Sequence, residues 1–105
     1  MFFYTDAPVC KYTEPKVYGV ARTEVANVSC EVDADPSEVH FRWSLNNTLE
    51  TVNLPTGWNE GPRSILSYTP KTLAGYGLLL CWGTNSIGGQ RDPCVAKIIP
   101  AGNLL

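Results

Sequence analysis

The chain has 105 residues, a single histidine (His40) and no two cysteines in Cys-x-x-Cys spacing. Zinc ligands come in close pairs, so the cysteines at positions 10, 30, 81 and 94 do not read as a metal site. There is no Gly-x-Ser-x-Gly elbow and no glycine-rich phosphate loop. With no general base beside a nucleophile, the chain reads as a non-enzyme, and neither a metal nor a cofactor is expected. The eight Lys and Arg residues are scattered singly and the net charge is −2. No basic stripe is present for phosphate backbones, which argues against nucleic acid as a partner. The longest apolar run, Leu78 to Trp82, is bounded by Gly77 and Gly83 and falls far short of the ~18 to 20 residues of a membrane span. Direct membrane insertion by this segment is therefore not expected. Met1-Phe2-Phe3-Tyr4 lacks the charged start, long apolar stretch and cleavage site of a secretory signal, and the chain reads as a piece of a longer protein.

What the chain does have is Cys30, Trp43 and Cys81, a tryptophan thirteen residues after one cysteine and thirty-eight before another. That is the spacing of an immunoglobulin sandwich, in which the cysteines sit on opposing sheets and the indole packs on their disulfide. The expected fold is all-β, an immunoglobulin-like sandwich of two antiparallel sheets with Greek-key connections and an inter-sheet disulfide. Pairing Cys30 with Cys81 leaves Cys10 with Cys94, a bridge from the start of the domain to its last strand. Such bridges persist in an oxidising compartment.

Period-2 alternation marks the strands. Ala26 to Val32 places Ala26, Val28, Cys30 and Val32 inward, and Val39 to Leu45 places Val39, Phe41, Trp43 and Leu45 inward. Between them, Asp33-Ala34-Asp35-Pro36-Ser37 reads as a turn cluster. Further strands are expected over Ser64 to Thr69, Gly77 to Thr84 and Cys94 to Ile99, with a turn at Asn85 to Gly89. The stretch from 53 to 62 holds two prolines and two glycines and reads as irregular. Residues 1–7 are expected to be flanking linker, 8–100 the domain, and 101–105 a linker to the next domain. Immunoglobulin domains commonly place a tyrosine two residues before the second cysteine, to tie down a corner with its hydroxyl. Leu79 occupies that position, Gly75 stands where an aspartate is typical, and Tyr76 is the candidate substitute.

Several segments carry a narrower likeness: Ala7-Pro8-Val9-Cys10, Val17 to Arg22, Tyr76 to Asn85, and Pro93-Cys94-Val95 followed by Pro100-Ala101-Gly102. In these the chain resembles the Sidestep family of insect cell-surface immunoglobulin proteins over nearly its whole length, Leu79 included. The resemblance implies an extracellular module of a single-pass membrane protein with several immunoglobulin domains and a fibronectin type III domain. Such proteins partner Beaten path type receptors in axon guidance and synaptic matching. It implies neighbouring immunoglobulin or fibronectin type III domains in cis, and the Pro-Ala-Gly ending is similar to a later domain of the array. A recognition module and a structural spacer without partner contact are thus the two competing functions.

Strand alternation also nominates a surface. With Leu79 and Cys81 inward, Leu78, Leu80 and Trp82 point out, joined by His40 and Arg42 on one side and Val95, Lys97 and Ile99 on the other. Aromatic and aliphatic groups rimmed by cations suit a protein contact, so Trp82, Leu80, Arg42 and His40 are the binding candidates, with Trp82 and Leu80 expected to be open to solvent. The bland alternative is that Arg42 stacks on Trp82 and covers it. Asn27-Val28-Ser29 and Asn46-Asn47-Thr48 are N-glycosylation acceptors with both asparagines outward. Glu31, Asp33 and Asp35 read as a solvated acidic turn in preference to a calcium site.

Overall fold

The computed structural model describes residues 6–55 and 57–102. The described residues form nine strands: β1 (Asp6–Cys10), β2 (Lys16–Val20), β3 (Ala26–Asp35), β4 (His40–Asn46), β5 (Thr51–Leu54), β6 (Trp58–Glu60), β7 (Arg63–Tyr68), β8 (Gly77–Thr84) and β9 (Cys94–Pro100), with one 3-10 turn at Leu73–Gly75. They make a four-stranded sheet ordered β1-β3-β7-β6 and a five-stranded sheet ordered β2-β9-β8-β4-β5. The alternating segments read from sequence are the central strands, because each has one face on the core and one outward. Val28, Cys30 and Val32 of β3, Phe41, Trp43 and Leu45 of β4, and Leu79 and Cys81 of β8 are all buried.

Pairing is antiparallel throughout except between β2 and β9, which run parallel. The exception follows from the opening of the chain. After β1 pairs with β3 in one sheet, Lys11 to Pro15 cross the sandwich and β2 joins the other sheet alongside β9.

Several sequence-derived boundaries move. β3 runs on through Asp33-Ala34-Asp35, expected as turn, because β1 supplies a ladder partner: Val9 lies opposite Asp33 and Asp6 opposite Asp35. For the same reason Asp6 and Ala7 belong to the domain and not to a flank, and the Asn85 side-chain amide further holds the Asp6 carbonyl at 2.8 Å. At the other end Ala101 donates its backbone N–H to Val20. The supposed flanks at 1–5 and 103–105 lie outside the described residues. Two short edge strands, β5 and β6, flank and occupy the stretch expected to be irregular.

Trp43 is 1% exposed and donates its indole N–H to the Ser64 hydroxyl at 2.9 Å. In the ladders Trp43 lies opposite Cys81 and Cys30 opposite Ser64. The Cys30–Cys81 bridge and the Trp43–Ser64 hydrogen bond therefore cross the sandwich side by side. The second bridge joins Cys10 on β1 to Cys94 on β9, and Cys94 lies opposite Cys81, so both disulfides link the two sheets.

At the corner before β8, Leu79 is fully buried and the absent tyrosine is replaced by two others. Tyr76 donates its hydroxyl to the Val20 carbonyl at 2.8 Å, and Tyr68 donates to the Gly75 carbonyl at 2.6 Å. Burial, followed by the nearby Tyr76 phenol, pushes the Tyr68 phenol above its ordinary value.

Replacing Cys10 and Cys94 together by alanine is expected to lower stability while leaving a cooperative fold, since the Cys30–Cys81 bridge and the core remain. The second bridge closes 84 residues, of which 51 are already closed by the first, leaving 33. In the chain-entropy model a loop of that size corresponds to about 3 to 4 kcal/mol, measurable by urea denaturation. A double variant without a cooperative transition would contradict this. Tyr68→Phe is expected to cost about 1 kcal/mol through the lost corner bond. A raised folded-state phenol pKa means stability is fully present below the ordinary phenol value and falls as pH rises from that value through the folded one. The phenylalanine variant should therefore show a shallower alkaline loss of stability than the parent; equal slopes would remove Tyr68 as its source.

Candidate protein-contact face

Ladder registers assemble the outer face of the five-stranded sheet. Arg42 lies opposite Trp82, Ser44 opposite Leu80, and Asn46 opposite Leu78. On the far side of β8, Leu80 faces Val95 and Leu78 faces Lys97, while Val17 of β2 lies beside Lys97. Leu78, Leu80 and Val95 thus form an apolar patch across β8 and β9, with the exposed Val17 beyond Lys97. The inward positions of β8 and β9 already supply the core, so burial of the fold does not require this second apolar face.

The patch is less open than the alternation predicts. Leu78, Leu80 and Trp82 are half-buried, not exposed. For Trp82 the reason is Arg42, whose guanidinium carbon sits 5.3 Å from the indole centroid in cation–π stacking. Leu80 has Ser44, itself buried, opposite it on β4 and Val95 opposite it on β9. Arg42 is exposed and so is His40, which lies opposite Thr84 at the end of the ladder away from Asn46. The structure therefore brings Trp82, Leu80 and Arg42 together and leaves His40 at their rim.

The two glycosylation acceptors lie on opposite sheets. Asn27, on β3, is exposed and its side-chain carbonyl accepts a hydrogen bond from the Ser67 hydroxyl at 2.9 Å. Asn46, the last residue of β4, is exposed on the same face as Leu78. Of the acidic turn, Glu31 is engaged by the Lys11 ammonium at 2.8 Å, and that bond holds its carboxyl below the usual value. Among the described residues no three His, Cys, Asp or Glu side chains group as metal ligands, and no helix is long and apolar enough to cross a membrane.

Two further features were not legible in sequence. A buried amide pair closes the pole where β8 ends: Asn85 bonds the Asp6 and Pro36 carbonyls, and Gln90 bonds the Gly83 N–H and the Asp92 carbonyl. At the opposite pole, Leu49 and Leu73 are exposed beside an apolar groove of about 540 Å³ that Asn46, Tyr76, Gly77 and Leu78 also line. Gly77, at φ +149°, permits the close approach there, since a Cβ would lie 2.7 Å from the Asn46 carbonyl oxygen.

No protein-family model and no curated protein matches this sequence. Among solved structures, the I-band fragment I67–I69 of titin superposes with a TM-score of 0.70 over 93% of this chain at 16% identity; the chain spans 34% of that fragment. A Dscam structure concerned with isoform specificity gives 0.65 over 92% of this chain and 25% of its own length, at 17% identity. The Dscam1 Ig7 domain, isoform 5, gives 0.64 at 17% identity, covering 90% of this chain and 96% of that one. At these identities the likeness is one of fold. The chain has the immunoglobulin-like sandwich fold, with its sheets joined by two disulfides.

Arg42→Ala is expected to uncover Trp82 without disturbing the core, because Arg42 is exposed and stacks only on the outer face. Tryptophan fluorescence should shift to the red and become easier to quench with acrylamide, while the melting temperature changes little. An unchanged spectrum together with a lowered melting temperature would show that Arg42 supports the fold and not the surface.

Proposed function

We propose that this domain is an extracellular module of a cell-surface recognition protein of the Sidestep type, acting in neuronal guidance or synaptic matching. Its parent ectodomain, the extracellular part of a single-pass membrane protein, would bind Beaten path type receptors. Two inter-sheet disulfides support an oxidising, extracellular setting. The observation that carries the contact reading is the apolar patch of Leu78, Leu80 and Val95, with Trp82 under Arg42, on a face the core does not need. Such a composition, an aromatic with arginine beside aliphatics, is enriched where proteins meet and is favoured for hot spots.

One observation favours the second reading, a spacer that sets length and orientation in an array. Trp82 is stacked and half-buried, so the face is already partly covered by the domain's own arginine. The two readings separate in one binding series. Receptor ectodomains are passed over the immobilised domain and, in parallel, over the parent ectodomain with and without it. On the contact reading the isolated domain binds, and Trp82→Ala weakens binding by about 2 kcal/mol, roughly thirtyfold, with little change in melting temperature. If the isolated domain is silent and its replacement by an unrelated immunoglobulin domain leaves the parent's affinity intact, the domain is a spacer.

A further inference from the structure

The hairpin joining β4 to β5 carries the acceptor Asn46-Asn47-Thr48 at the rim of the apolar groove. Its turn sorts the two asparagines. Asn47 is turned into the structure: its carbonyl accepts the N–H groups of Leu49 and Glu50, each at 2.8 Å, and its amide nitrogen donates to the Ala74 carbonyl at 2.9 Å. Asn46 is exposed, and among the described residues its side chain's hydrogen bond is on the carbonyl side, from the Thr51 hydroxyl at 3.4 Å. The Asn46 amide nitrogen is thereby free to be substituted, and Thr48, the hydroxyl residue that the acceptor motif requires, is exposed beside it.

The groove is walled by Leu49, 83% exposed, Leu73, 67% exposed, and the half-buried Leu78 and Tyr76. Exposed leucines flanking an apolar concavity are costly to leave in water. Asn46 lies directly opposite Leu78 in the ladder, so a group bonded to its amide nitrogen starts at the groove's mouth. We propose that Asn46 carries an N-linked glycan whose first N-acetylglucosamine lies in this groove, its apolar ring face and acetyl methyl against Leu73 and Leu78. Oligosaccharide transfer from a polyprenyl diphosphate donor forms the bond from sugar C1 to Asn46 Nδ2. It breaks the bond from C1 to the diphosphate oxygen, and the Nδ2 proton leaves as the polyprenyl diphosphate departs. The inference rests on the extracellular reading above, since that donor acts in the secretory pathway.

Asn27 provides an internal contrast. It is flanked by Ser67 across the ladder and by Ser29 on its own strand face, both polar, so a glycan there would stand in solvent. The glycan at Asn46 would also divide the outer face. It covers the Leu78 end and leaves Leu80, Trp82 and Arg42 for a protein contact.

The test uses the whole chain secreted from eukaryotic cells that leave oligomannose glycans. Enzymatic deglycosylation in heavy-oxygen water marks each formerly glycosylated asparagine for peptide mass spectrometry, and Asn46 is expected to be marked. Three forms are then compared for dye binding by 8-anilinonaphthalene sulfonate and for amide exchange over residues 73–78: intact, trimmed to the first N-acetylglucosamine, and fully stripped. The intact and trimmed forms should match, while the stripped form binds more dye and exchanges faster; Thr48→Ala should behave as stripped and Asn27→Gln as the parent. If trimmed and stripped forms match each other, the first sugar does not sit in the groove and the proposal falls. An unmarked Asn46 in secreted material with both disulfides formed overturns the site while leaving the extracellular reading intact. Reduced cysteines with neither acceptor marked would overturn both.

Discussion

The interaction on which the rest depends is a four-residue crossing at the centre of the sandwich. Trp43 and Cys81 are neighbours in one sheet, Cys30 and Ser64 in the other. Across the sandwich Cys81 is joined to Cys30 by the disulfide, and Trp43 to Ser64 by the indole hydrogen bond. A buried indole N–H without a partner would cost about 1 to 3 kcal/mol, so the small hydroxyl at 64 is as much a part of the tryptophan's site as the sulfur bridge. These two links also set the relative registry of the sheets. A slip of either ladder by one residue would turn Cys30 or Trp43 to the solvent face and break both at once.

Because the inward positions are committed in this way, the outward ones are free to vary, and apolar groups lie outward on both sheets: Leu78, Leu80 and Val95 on β8 and β9, and the exposed Trp58 of β6 opposite Ile65 of β7, with the Arg63 guanidinium carbon 5.7 Å from the Trp58 ring centroid. The outward residues of β3 are Asn27, Ser29, Glu31 and Asp33, with Lys16 donating to the Ser29 hydroxyl and Lys11 pairing with Glu31. The β3 part of the four-stranded face is thus a network of polar groups, which contribute little to stability. The five-stranded face carries leucine, valine and tryptophan on its inner strands β8 and β9. The Trp58 site lies on an edge strand, whereas the patch on β8 and β9 has a paired strand on either side, and a glycan at Asn46 would limit how much of that patch a partner can reach.

The central strands were legible because each has one buried face, so period-2 alternation and the Cys30, Trp43, Cys81 spacing pointed to the same elements. β5 and β6 were hidden for the opposite reason. As edge strands they are almost wholly exposed, so no burial pattern marks them, and their pairing with β4 and β7 is supplied by the fold. The end of β3 was missed because Asp33 and Asp35 have turn-forming composition, overridden by the ladder to β1. On the candidate face, alternation assigned the outward residues correctly but carried no information on how far Arg42 would reach over Trp82. Ser64 left a faint signal, a small polar residue at an inward position of an alternating strand, and only the position of the indole gives it a role.

The second disulfide bears on how the module behaves between neighbours. The start of β1 lies at the pole held by Asn85, which bonds the Asp6 carbonyl, and Pro100 leaves at the opposite pole, where Ala101 bonds Val20. Between them Cys10 and Cys94 are joined, so tension along the chain passes from β1 to β9 through the bridge and bypasses the residues from 11 to 93. The central crossing and the outer face of β8 lie within the bypassed part. Tension on the termini would load only the short ladders that β1 and β9 contribute. Serving as a link of fixed length and offering a contact surface are therefore compatible demands on this domain. The binding series decides whether the second is added to the first.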